Sequence, residues 1–138
     1  MITREVLVRK GSARGLFDLT AGCERFVAEA SAGGDGLLSL FVPHATAGLV
    51  VVELGAGSDA DLVAALDRLL PRDDATYGHR HGSPGHGADH VLPLLASPSL
   101  TVPVIAGRLA LGTWQSIALL DPNADNDERR VRLSFIPG

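Results

Sequence analysis

One cysteine, few aromatics, no long hydrophobic run and no block of like charges characterise this sequence, and each scarcity removes a class of function. Cys23 alone cannot form an internal disulfide, and its apolar neighbours in an expected helix point to inert burial rather than catalysis. A single cysteine also rules out a thiolate-rich structural zinc site. The longest apolar runs, such as Leu37–Val42 and Leu49–Val52, are far too short to span a bilayer. With a formal charge of −4, the chain lacks the basic surface that displaces counterions from nucleic-acid phosphates. Met1–Glu5 lacks the charged-then-apolar layout of a signal peptide, so a cytoplasmic protein is expected. There is no glycine-lysine phosphate loop, no dinucleotide-binding glycine fingerprint and no serine in a Gly-x-Ser-x-Gly frame. Aromatics make up 4%, so the core must be aliphatic, and Tyr77 and Trp114 in polar segments carry more information than usual.

What is present fits one folded domain over residues 1–138, with 46% hydrophobic and 20% charged residues. Ile2–Arg9 and Leu16–Leu19 read as strands joined in a hairpin, followed by a helix over Ala21–Ala32 capped by Thr20. Leu37–Val42 and Leu49–Leu54 read as strands, and Leu62, Val63, Leu66, Leu69 and Leu70 give a helical period from Asp59 to Leu70. No period survives over Arg72–Gly87. An irregular helix with Pro93 follows over Ala88–Leu95, and strands are expected at Leu100–Ile105, Trp114–Leu120 and Arg129–Ile136. Strands with hairpin-length connections and two or three inserted helices predict an α+β domain with a mainly antiparallel sheet.

Four of the five histidines fall within residues 79–90, and the fifth, His44, sits at a strand exit. Neutral imidazole is the commonest protein ligand for zinc and related divalent metals. His79 and His81, two apart, share a face in extended chain, and the glycines of the loop allow His90 to fold back towards them. The same composition also describes a plain solvated loop, so both readings stand at this level. Glu53 is either a base or histidine partner, or the point where its strand leaves the core. Arg108, Trp114 and Gln115 form either an anion grip with an apolar wall or a simple hairpin. Arg129, Arg130 and Arg132 read first as a solvated strand face, with an anion site as the lesser alternative.

His44-Ala45-Thr46-Ala47-Gly48-Leu49 with Glu53 resembles the His-Thr-Ser-Ala-Ser-Leu…Asn-Glu motif of the YjbQ-like family. Tyr77-Gly78-His79, then His90 followed by Pro98–Val104, then Gly107-Arg108-Leu109, Gly112–Gln115 and Arg129-Arg130 continue the likeness in order. The resemblance covers nearly the whole chain. It implies a small α+β homotrimer, cytoplasmic, with a divalent metal, zinc or another transition metal, on His44, His79 and His90. It further implies Glu53 and Arg108 as catalytic residues and Thr46, Trp114 and Gln115 as the lining of a pocket for a small, phosphorylated ligand. His81 and His86 have no counterpart in the pattern. Three departures stand out: Val52 replaces an asparagine, Arg80 an acidic residue and Leu92 a lysine.

The activity attached to that family is thiamine-phosphate synthesis, joining a pyrimidine pyrophosphate to a thiazole phosphate with loss of pyrophosphate. Such a leaving group calls for a divalent cation and basic side chains, of which only Arg108 is in place. Metal-assisted hydrolysis with Glu53 as base suits histidine ligands better. A trimer that binds metal or ligand without turnover is the third expectation.

Overall fold

The computed structural model describes all 138 residues. Its strands are β1 (Ile2–Arg9), β2 (Gly15–Asp18), β3 (Gly36–Phe41), β4 (Gly48–Val52), β5 (Ser99–Ile105), β6 (Arg108–Leu109), β7 (Ser116–Asp121) and β8 (Glu128–Pro137). Its α-helices are α1 (Thr20–Ala30), α2 (Ser58–Leu69) and α3 (His86–Val91), the last continued by a 3-10 turn over Leu92–Leu94. The strands form two antiparallel sheets, in the orders β1-β8-β3-β5-β6 and β2-β7-β4. The α+β class with antiparallel sheets is therefore as expected. No helix is long and apolar enough to cross a membrane.

The core follows from strand alternation, since every second residue points to the same side. Leu38 and Leu40 of β3, Val102 and Val104 of β5, and Val131, Leu133 and Phe135 of β8 face inward. They meet Ile117 and Leu119 of β7, Leu49 of β4, and Cys23, Phe26 and Val27 of α1 in one aliphatic core. Burial pushes the Cys23 thiol up to about 12, with Asp18 and Glu24 adding to the effect, so it stays an inert thiol. A smaller cluster of Leu66, Leu92, Ala96 and Leu120 seats α2 and the 3-10 turn on the second sheet.

The expected N-terminal hairpin is not formed. β1 pairs with β8 and β2 with β7, so residues 10–14 cross from one sheet to the other. The crossing is held by Lys10, whose ammonium donates to the carbonyls of Ala13 and Asn123 at 2.7 Å each and lies 3.6 Å from the Asp121 carboxylate. Thr20 does not cap α1 either. Its hydroxyl oxygen accepts the Ile117 N–H at 2.9 Å, and the Asp18 carboxylate takes the Thr20 N–H. Pro93 has the anticipated effect, closing α3 into the 3-10 turn.

The main correction concerns Arg129. Arg130 and Arg132 lie on the solvated face, but Arg129 shares the inward face with Val131 and is 1% exposed. Its Nε donates to Asp121 Oδ2 at 2.6 Å, and its Nη2 donates to Asp121 Oδ1 at 3.1 Å and Thr46 Oγ1 at 2.8 Å. Thr46 thus serves the buried ion pair. Removing one partner of such a pair leaves a charge without compensation, so Arg129→Ala is expected to cost about 3–5 kcal/mol in urea unfolding. A loss below about 1 kcal/mol, the range of exposed pairs, would show that the pair contributes little.

Candidate metal centre

Residues 77–90 fold over the turn that joins β7 to β8. Asp121 starts that turn by accepting the Asn123 N–H on Oδ1 at 2.9 Å. Asn123, fully buried, then donates its side-chain amide to Asp89 Oδ2 at 2.9 Å and Asp125 Oδ2 at 3.2 Å. Asp89 is also fully buried and receives Arg72 at 2.6 Å, which fixes the beginning of α3. Buried carboxylates survive only with such partners.

On this support stand four imidazoles. One ring nitrogen from each of His79, His81, His86 and His90 lies within 4.8 Å of all the others. Ring centroids are 3.9 Å apart for His79 and His81, 4.1 Å for His79 and His90, and 4.5 Å for His86 and His90. His86 and His90 come together because α3 begins at His86 rather than Ala88, which puts residues four apart on one helical face. The glycines are fitted to this packing. Gly82 has φ +87°, and a Cβ there would sit 2.4 Å from His86 Nδ1. A Cβ on Gly87 would meet the Tyr77 Cβ at 2.7 Å.

Hydrogen bonds fix the tautomer of one ring. His86 Nδ1 lies 2.8 Å from Asp125 Oδ2, so that nitrogen carries the proton and Nε2 presents a lone pair. The Asp125 carboxyl is held down to about 2, first by the Ser83 hydroxyl, with further hydrogen bonds from Asn123 and His86, although partial desolvation opposes them. His86 Nε2 is 2.8 Å from His90 Nε2, and His79 Nε2 is buried without any hydrogen-bond partner. A ring nitrogen left without a partner is unsatisfied, so the arrangement asks for a further partner. Nitrogens bound tetrahedrally at about 2.0–2.1 Å stand about 3.4 Å apart, which these rings reach by movements of about 1 Å. The donor set therefore fits a divalent transition-metal ion.

Of the residues singled out from sequence, His79 and His90 are in the cluster. His81 and His86, which the family pattern passed over, join them. His44 stands apart beside β8, where its Nε2 accepts the Arg130 N–H at 3.0 Å. Desolvation, and then the charge of Arg129, lower its proton affinity. Glu53 is exposed just past β4. Arg108 lines a different cleft with Glu24 and Ala28, Trp114 is 74% exposed, and the Gln115 side chain accepts the Gly112 N–H at 2.8 Å. The missed signal was the four-residue step from His86 to His90, hidden by starting the helix two residues late.

Desolvation and then the neighbouring rings hold His79 and His90 below the ordinary imidazole value of 6.5. The folded chain thus resists protons that the unfolded chain accepts as pH falls through 6.5. Stability of metal-free protein is complete above that pH and is lost below it. The urea midpoint is expected to drop between pH 7.5 and 5.5, and to drop less in His90→Gln. Equal losses in the two proteins would detach the effect from the cluster.

Comparison with known proteins agrees with the architecture. The chain is 56% identical over 134 residues to a UPF0047 protein of Mycobacterium tuberculosis, covering 97% of this chain and 98% of that one. It is 33% identical over 117 residues to a UPF0047 protein of Archaeoglobus fulgidus, covering 84% and 87%. The crystal structure of a hypothetical protein from Aeropyrum pernix superposes with a TM-score of 0.88 at 28% identity, each chain covered in full. The family model described as UPF0047 protein YjbQ-like matches residues 4–138. This chain belongs to the YjbQ-like UPF0047 family.

Proposed function

We propose that the chain binds one divalent transition-metal ion, zinc or a close relative, through His79, His81, His86 and His90, and that the ion serves hydrolysis. The observation that carries this reading is the buried, partnerless Nε2 of His79 among three other imidazoles. Histidine nitrogens suit zinc and its neighbours, whereas magnesium prefers oxygen. His86 is oriented by Asp125 and His90 sits on a helix braced through Asp89, so these two are the firm ligands. His81 is the exposed member of the set and the one that gives way to substrate or water. An ion with such an exchangeable position supplies Lewis acidity and lowers the pKa of water. Asp74 lines the cavity beside the rings and is the carboxylate placed to accept a proton from water there. Glu53 has no part in this reading.

Thiamine-phosphate synthesis, implied by the resemblance, would draw on the same ion. Arg108, Trp114 and Gln115 do not line the histidine cavity, so hydrolysis is the reading preferred. The implied homotrimer has a face available to it. On the outer side of the larger sheet, Leu37, Phe41, Ile105 and Ile136 are exposed.

Metal analysis of protein purified without a histidine tag tests the centre. One divalent ion per chain is expected, lost in His79→Ala, His86→Ala and His90→Ala, weakened in His81→Ala and retained in His44→Ala. Stoichiometric metal that survives His86→Ala but not His44→Ala would overturn this ligand set.

A further inference from the structure

We propose that Arg80 makes the histidine cavity a receptor for a phosphate group, held between the guanidinium and the ion. This inference rests on the metal reading above and adds the substrate class, a phosphate ester. The cavity is about 180 Å³ and is lined by Asp74, His79, Arg80, His81, Gly82, Ser83 and Gly87, without one apolar side chain. Such a lining suits a charged group rather than a ring or an alkyl chain. The cavity opens to solvent beside the exposed His81, so the rest of an ester can extend there.

Arg80 is anchored rather than free. Its Nη1 donates to the Asp74 carbonyl, and its other N–H groups have no protein partner. A guanidinium in this state offers the paired donors that grip two oxygens of a tetrahedral anion. Asp74 is the opposing charge, but its Oδ1 is engaged by the Gly85 N–H at 3.0 Å. With a divalent ion in place, the charges facing the cavity sum to a positive value.

The test is calorimetric titration of inorganic phosphate into ion-loaded protein, with metal content measured on the same samples. Wild type is expected to bind phosphate, Arg80→Gln at least about tenfold more weakly and Arg80→Lys in between, with the ion retained in all three. Equal phosphate affinity in wild type and Arg80→Gln overturns the inference while leaving the metal centre intact. Acetate binding as tight as phosphate also overturns it, since any anion would then serve. Should wild type hold no ion, the metal reading fails. Phosphate binding that still depends on Arg80 would then support the anion site alone, and its absence would end both.

Discussion

The pairing of Arg129 with Asp121 in the interior governs the rest of the molecule. Asp121 is the last residue of β7 and Arg129 lies near the start of β8, so their two-point contact closes the turn between them. Lys10 brings the crossing between sheets to the same carboxylate, and Thr46 brings the loop after β3 to the same guanidinium. One buried anion thus collects segments distant in sequence. Two cations face it, and the carbonyl dipoles of Ala13 and Asn123 take up part of the excess positive charge.

From that pair a continuous polar path leads to the histidines. Asp121 sets the Asn123 backbone, Asn123 sets Asp89 and Asp125, and Asp125 orients His86. The steps through Asp121, Asn123 and Asp89 are hydrogen bonds between fully buried groups with few other options, and the last, from Asp125 to His86, reaches the surface. The site is consequently rigid below, where Asn123 and Asp89 are fully buried, and open above, where His81 and Arg80 meet solvent. Such support with one exposed ring is the layout that the proposed ion would need in order to exchange partners.

Much of the architecture was legible because alternation and helical period are strong signals. β3, β5, β7 and α2 fall close to their expected places, and the irregular end of α3 follows from Pro93. Sheet partners were not legible, because pairing of β1 with β8 depends on contacts between the two ends of the chain rather than on local sequence. The alternation that buries Val131 and Leu133 also buries Arg129, although its charge points to solvent. At the site, histidine crowding was visible from the start. The family pattern passes over His81 and His86 and points to His44, whose ring accepts the Arg130 N–H. Gly82 and Gly87 belong to a stretch whose composition also describes a plain solvated loop, yet they are where a ring or a tyrosine stem passes too close for any side chain.

All four imidazoles come from one short stretch, residues 79–90. A ligand set so local does not need the finished fold in order to meet an ion. Under the metal reading proposed above, the unfolded or nascent chain would also hold the ion through neighbouring histidines, and an ion bound to both states raises stability by less than its affinity would suggest. Capture would then precede folding, and docking of this stretch onto the β7–β8 turn would set the geometry of the site.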